Sequence, residues 1–291
     1  MKIRREQRPG GSVVQIEKDG GWTELNESEV KDLHWLLALP PPADGTLPFQ
    51  PRSFRDVLLY EDHWIQSSRG YVRRFMPAAF RVTALYEKLT GAIFPAFRPP
   101  KLLARQPLYY FGNHLTMVAS GMPVKIPSYS QALDYELELG WVLARPLFNA
   151  TPEEALAAVG GFVVVNDFSA RDVQRAEMQS GFGPQKSKHF LSSMSATMVT
   201  PEHVLPRIDA LTARVEINGK RVASLSSAGM RYSIGEVLAH LSRDEQLHPG
   251  ELIASGTLPG GSGLEAGRLL ESGDELRLVI DEVGEIVHRI L

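Results

Sequence analysis

The sequence has no cysteine. That absence excludes a disulfide framework, a thiolate metal site and a cysteine nucleophile, so any metal must sit on oxygen or imidazole ligands. Long apolar runs are missing too. None reaches membrane-spanning length, and the charged start Met1-Lys2-Ile3-Arg4-Arg5-Glu6 leads into Pro9-Gly10-Gly11 rather than an apolar segment. Nor is there a large excess of one charge. The 31 basic and 34 acidic side chains leave a net charge of −3, so no global field draws nucleic acid or an anionic membrane, and a substrate must be recognised locally. We therefore expect a cytoplasmic protein with neither kind of partner. What is present is ordinary globular material. A chain of 291 residues, 43% of them hydrophobic, can bury a sizeable core in one large domain plus a smaller one.

Proline marks the organisation. Before it comes a mixed segment with a short apolar stretch, Val13 to Ile16, and a helix that begins near Asn26 and runs through Val30, Leu33 and Leu37 at helical spacing. Pro40-Pro41-Pro42 cannot continue that helix, and Pro48 and Pro51 extend the break, which places a boundary near residue 50. Phe54 to Thr90 reads as mainly helical. Residues 95 to 128 then carry Pro95, Pro99, Pro100, Pro107, Pro123 and Pro127 and read as an irregular connector. The expected division is a small N-terminal domain at 1–50, a helical lid and Pro-rich connector at 51–125, and a main domain at 126–291.

Beyond Ser128 the pattern becomes that of a sheet. Strands are expected at Leu133 to Leu143, Phe162 to Val165, Leu211 to Ile217, Leu252 to Ala254 and Leu276 to Ile280. Asn218-Gly219 between two such runs is a two-residue hairpin signal, because both turn positions need positive φ. Two helices punctuate the sheet. One starts at Thr151-Pro152-Glu153-Glu154, with a cap, a proline at the first position and two acids at the positive end; the other starts at the capping box Ser233-Ile234-Gly235-Glu236.

Two segments carry chemistry. In Leu133-Asp134-Tyr135-Glu136-Leu137-Glu138-Leu139 the acids alternate with apolar residues, so on a strand Asp134, Glu136 and Glu138 leave one face. Carboxylates gathered this way repel one another, and a hard divalent cation turns that repulsion into binding. Taken alone, the segment suits a half-exposed strand with a polar solvent face even better. The second segment, Gly161 to Gln174, is an apolar strand ending at Asn166-Asp167 before a helix whose expected cap is Ser169. Arg171 and Gln174 are three apart and share a helix face. A capped helix with solvated charges reads equally well.

In order and about thirty residues apart, Asp134-Tyr135-Glu136-Leu137-Glu138-Leu139 and Asn166-Asp167-Phe168-Ser169-Ala170-Arg171-Asp172-Val173-Gln174 resemble the signature of the fumarylacetoacetate hydrolase family. The resemblance implies an α+β fold, predominantly β: a mixed β-sandwich or roll of the family's C-terminal type, with a small N-terminal domain. It implies Mg²⁺, or Mn²⁺ or Ca²⁺, on Glu136, Glu138 and Asp167. Other positions follow in order. Gly183-Pro184 and Lys188 resemble the segment whose lysine meets developing negative charge, with Lys186 as a substitute. Ala254-Ser255-Gly256-Thr257 resembles the turn whose threonine contacts the substrate carboxylate, and Glu265 the glutamate that orients a catalytic histidine. The spacing of Asp56 and His63, seven residues or two helical turns, is similar to that of the metal-binding aspartate and that histidine. Tyr110 is the best match for a substrate-contacting tyrosine. Arg69, Arg73 and Arg74 compete for a substrate-contacting arginine, and Leu58 replaces a tyrosine expected two residues after Asp56.

What the resemblance implies chemically is hydrolysis of a carbon-carbon bond in a small diketo acid or acylpyruvate by a homodimer. His63 oriented by Glu265 is the base for water, and Lys188 with Gln174 and Arg171 serves the developing oxyanion. Two alternatives stand beside it: a 2-oxo acid decarboxylase, hydratase or tautomerase on the same metal scaffold, and a metal-binding protein without turnover.

Overall fold

Alternation and turn chemistry decide where this chain extends. The computed structural model describes residues 1–42 and 46–291; residues 43–45, in the Pro-rich linker, lie outside the described set. Strands β1 (Lys2–Arg8), β2 (Gly11–Lys18) and β3 (Gly21–Glu24) form an antiparallel meander that holds the Val13 to Ile16 stretch. Asn26 then caps α1 (Glu27–Asp32) through a capping box with Glu29, and α2 (His34–Leu37) follows at once, so the expected single helix is broken at Leu33.

The region expected to be helical from Phe54 opens instead with strand β4 (Ser53–Val57) and then gives α3 (Glu61–Phe75) and α4 (Pro77–Thr90). Parallel pairing to a central strand overrides local propensity there, in a segment too short to show a period. The connector holds β5 (Tyr109–Gly112) and β6 (Met117–Ala119) among short 3₁₀ turns. Beyond it lie β7 (Leu133–Asp134), β8 (Glu136–Leu143), α5 (Pro152–Leu156), β9 (Val159–Asn166), β10 (Ser169–Ala170) and α6 (Arg171–Gln179). Ala170, not Ser169, occupies the N-cap of α6; the Ser169 hydroxyl donates to the Asp167 carbonyl. The chain ends through β11 (Ser192–Met194), β12 (Thr197–Val199), α7 (Pro201–Val204), β13 (Thr212–Ile217), β14 (Lys220–Ser226), α8 (Ile234–Leu241), β15 (Glu251–Ser262), α9 (Gly263–Ala266), β16 (Glu275–Ile280) and β17 (Gly284–Arg289). Asn218 and Gly219 turn β13 into β14 with φ of 53° and 71°, the positive values that their hairpin needs.

The fold is α+β and predominantly β. A large sheet runs in the order β3-β2-β1-β12-β9-β8-β15-β4-β5, with β11 and β6 branching from β9. A second sheet, β14-β13-β16-β17, stacks against one of its faces. Tyr135, Leu137, Leu139 and Trp141 meet Val215, Ile217, Leu276 and Leu278 in the core between them. The opposite face of the large sheet is covered by a second core built from Ile3, Ile16, Trp35, Leu36, Phe49 and Phe54 with Val142, Val163 and Val165. Strands β8 and β9 are thus buried on both faces, and every residue in them is buried. Glu136 and Glu138 leave β8 on the side of Val142, so the sheet carries them into the interior and not to solvent. The N-terminal meander is joined to this sheet by β1–β12 pairing, Lys2 opposite Val199. Among the described residues no helix is long and apolar enough to cross a membrane.

Candidate metal centre and active site

Five neighbouring strands, β9-β8-β15-β4-β5, deliver one row of polar side chains. Asp167 follows the last residue of β9, whose Asn166 is opposite Leu137; Glu138 is opposite Thr257; Ala254 is opposite Asp56; Asp56 is opposite Tyr110. Asp56, Glu136, Glu138 and Asp167 each place one carboxylate oxygen within 4.8 Å of the others, and all four are buried. Asp56 therefore reaches the cluster from a strand. The helical spacing expected between it and His63 does not exist; β4 and α3 converge across a turn.

The surrounding contacts are dense. Lys188 Nζ pairs with Glu136 and with Asp167 Oδ2 (2.6 Å). The Tyr110 hydroxyl lies between Asp56 Oδ2 (2.8 Å) and Asp167 Oδ2. Thr257 Oγ1 donates to Glu138 Oε1 at 3.3 Å, while Glu138 Oε2, fully buried, has no hydrogen-bond partner among the described residues. Ser192, which sequence reasoning missed, donates to Asp167 Oδ1 at 3.2 Å; a serine in a short strand carries no local signal.

Burial pushes the Asp56 and Glu138 carboxyls well above the usual carboxylate range, and neighbouring acids, Asp167 among them, push further. Burial also works against an ionised Glu136. There the Arg171 and Lys188 charges, with His63, outweigh it and hold the carboxyl below its ordinary value. Burial lowers Lys188, but Asp167 and Glu136 win and keep the amine charged. Five buried acids, counting Asp134, thus face two buried cations, Lys188 and Arg171. The excess negative charge, the all-oxygen donor set and the orphaned Glu138 Oε2 fit a hard divalent cation.

A pH dependence follows. Carboxyls raised on folding contribute stability that is fully present below their unfolded pKa and is lost as pH rises through the folded value. A divalent cation bound there would take the place of those protons, so any rise in Tm on adding Mg²⁺ should grow with pH between about 5 and 8. Scanning fluorimetry of EDTA-treated protein with and without Mg²⁺ checks this; a gain that is flat or shrinks with pH contradicts it.

Beside the acids stands a histidine–glutamate pair. His63, buried in the first turn of α3, sets Nδ1 2.9 Å from Glu265 Oε2 and Nε2 3.6 Å from Glu136 Oε1. A carboxylate only accepts, so Nδ1 donates its proton to Glu265 and Nε2 faces the acid cluster. Glu265 is fixed in turn. Its carboxylate accepts from Gly260 N (2.9 Å), Ser262 N (3.2 Å) and Ser262 Oγ (2.8 Å), and Glu265 N donates back to Ser262 Oγ (3.4 Å), closing a capping box on α9. Helix α3 approaches α9 closely because residue 70 is glycine: a Cβ there would stand 2.2 Å from the Leu264 carbonyl oxygen.

The remaining candidates separate clearly. Arg171 is buried and donates to Asp134 Oδ2 (2.7 Å), Glu136 Oε1 (2.6 Å) and Gln174 Oε1 (2.9 Å). Asp134 projects on the same side as Glu136 but is held by Arg171 outside the four-acid cluster. Lys186 is exposed and lies over the Tyr129 ring. Of the three arginines on α3, Arg69 pairs with Glu87 (2.9 Å), Arg73 donates to the Leu264 carbonyl (3.2 Å) and Arg74 is exposed.

Fold and site together point to one family of enzymes. Residues 82–291 match the family model described as fumarylacetoacetate (FAA) hydrolase C-terminal, and the chain belongs to that family. It is 29% identical over 198 residues to a homoprotocatechuate catabolism bifunctional isomerase/decarboxylase of Escherichia coli, covering 67% of this chain and 42% of that protein. It is 30% identical over 190 residues to an oxaloacetate tautomerase of Bacillus subtilis (strain 168), covering 65% of this chain and 62% of that protein. The chain thus spans less than two thirds of the length of either relative. The fold is shared with a Pseudomonas aeruginosa fumarylpyruvate hydrolase solved in complex with Mn²⁺ and pyruvate, at a TM-score of 0.61 and 20% identity, covering 83% of this chain and 90% of that one.

Proposed function

We propose that this protein is a divalent-metal-dependent hydrolase that cleaves a carbon-carbon bond in a small diketo acid or acylpyruvate, acting as a homodimer. The observation that carries the reading is the His63–Glu265 pair, with Nε2 of His63 aimed at the four-acid cluster. Asp56, Glu136, Glu138 and Asp167 would hold Mg²⁺, Mn²⁺ or Ca²⁺, which when bound supplies Lewis-acid polarisation of the diketo oxygens. The Mn²⁺ and pyruvate of the Pseudomonas enzyme support both the ion and the product class.

The chain's own groups perform the rest. His63 Nε2 takes a proton from water, whose oxygen bonds to the distal carbonyl carbon; Glu265 keeps Nδ1 protonated and supports the cationic ring. The carbon-carbon bond breaks with its electron pair going to the pyruvate enolate. The proton taken up by His63 passes to that enolate carbon, which regenerates the base and releases pyruvate beside a carboxylic acid. Lys188 and the amide N–H groups of Gln174 meet the developing oxyanion, and Gln174 can offer them because Arg171 occupies its Oε1. Arg171 itself is spent on Asp134, Glu136 and Gln174, so we assign it a positioning role. Tyr110 and Thr257, at the rim of the acids, would contact the substrate carboxylate.

The two relatives support a second reading, a tautomerase or decarboxylase of 2-oxo acids on the same acids. Products separate the readings. With Mg²⁺ or Mn²⁺, an acylpyruvate should lose its enol absorbance and yield pyruvate and a carboxylic acid in equal amounts. Release of CO₂, or keto–enol exchange of oxaloacetate without acylpyruvate cleavage, would reject hydrolysis.

A further inference from the structure

Asp134 lies outside the acid cluster, yet it is fully buried and each of its contacts reaches the site's framework. Oδ1 accepts from Gly263 N (2.7 Å) and Tyr135 N (2.8 Å); Oδ2 accepts from Leu264 N (3.2 Å) and Arg171 Nε (2.7 Å). Gly263 and Leu264 open α9, whose next residue is Glu265, the partner of His63. Arg171 continues to Glu136 Oε1 at 2.6 Å. The approach is tight, since a Cβ on Gly263 would stand 2.3 Å from Asp134 Oδ1. We infer that Asp134 is a positioning residue that ties the turn bearing Glu265, and with it His63, to the Arg171–Glu136 arm of the metal centre.

The role rests on the reading of His63 as base given above, and it follows from donor counting. Four donors converge on two oxygens, and among uncharged isosteres none offers two acceptors. An asparagine would turn its NH₂ toward either the Gly263 and Tyr135 amides or the Leu264 amide and Arg171, so donors would face donors on one side. The turn carrying Glu265 or the Arg171 arm must then move. A general base displaced by about 1 Å costs roughly 100-fold in rate even when the chemistry groups are intact.

Asp134→Asn and Asp134→Glu, with His63→Ala alongside, test this in the full-length, metal-loaded enzyme. Asp134→Asn is expected to lower kcat on an acylpyruvate by about 100-fold, with KM near the parent's and Mn²⁺ affinity lowered far less than the rate. Asp134→Glu, which keeps the charge but moves it, should recover part of the rate. A substrate-free readout is the His63 Nδ1–H signal in ¹H–¹⁵N spectra of the Mg²⁺ form, which should be sharp in the parent and exchange-broadened in Asp134→Asn; loss of stability alone would not change the tautomer. If Asp134→Asn does not fold, Asp134→Glu still decides, because parent kcat and an unchanged His63 signal in it overturn the proposal. If His63→Ala loses turnover while both Asp134 variants keep it, only the positioning role falls. If His63→Ala keeps turnover, the base assignment itself falls.

Discussion

Glu136→Gln and Asp167→Asn are expected to abolish measurable Mg²⁺ and Mn²⁺ binding by calorimetric titration, a loss of at least about 100-fold, while the protein still folds. The acids are not equivalent, however. Glu136 and Asp167 are paired with Lys188, and Glu136 also with Arg171, so neutralising either leaves a buried cation short of a partner. Those variants should be less stable than the parent even without metal, by roughly 1–3 kcal/mol. Among the described residues Asp56 and Glu138 form no ion pair, and burial and like charge push their carboxyls up despite the pull of Lys188. Asp56→Asn and Glu138→Gln should therefore lose metal binding as completely but melt no lower, or higher, in EDTA, the mark of acids kept for a ligand at the expense of stability. Parent-like affinity in both Glu136→Gln and Asp167→Asn would mean that the acids form a buried polar network and no metal site.

How much of this was legible in the sequence depends on the range of the interaction that places each residue. Period-two alternation puts Glu136 and Glu138 on one face and an apolar strand ends at Asp167. Those local signals suit a solvated strand face and a capped helix as well or better, and it is the ordered resemblance of the two segments to a family signature that marks them as metal ligands. The capping boxes at Thr151 and Ser233 and the Asn218-Gly219 turn are local as well, and each forms as expected. Asp56 is different. It reaches the cluster because β4 pairs in parallel with β15, nearly 200 residues away, and no window around Arg55-Asp56-Val57 announces a strand. Asp134 shows the same limit from the other direction. Alternation puts it on the side of Glu136, but its task is set by Arg171 and by the amides of Gly263 and Leu264, contacts that only the folded chain brings together. Ser192 supports Asp167 for the same long-range reason, whereas Ser262 holds Glu265 through a local capping box three residues apart.

Removing the imidazole should separate binding from chemistry. His63 touches Glu265 and approaches Glu136 at 3.6 Å, but it is not one of the four clustered acids, so His63→Ala should keep Mn²⁺ affinity and the affinity for a product analogue such as oxalate. Turnover of an acylpyruvate should fall by about 10²- to 10⁴-fold, the usual contribution of a positioned general base. Glu265→Gln should show a smaller loss in the same direction. Its amide still reaches Nδ1, but it no longer stabilises the imidazolium that forms when water gives up its proton, and an amide presented as a donor would favour the wrong tautomer. The Glu265 carboxylate also accepts from Gly260 and Ser262, so the glutamine leaves part of that cradle facing a donor. Calorimetry with Mn²⁺ and oxalate, run beside the rate assay, makes the distinction. Weakened metal binding in His63→Ala would place the imidazole among the ligands, and undiminished hydrolysis would remove it from the reaction altogether.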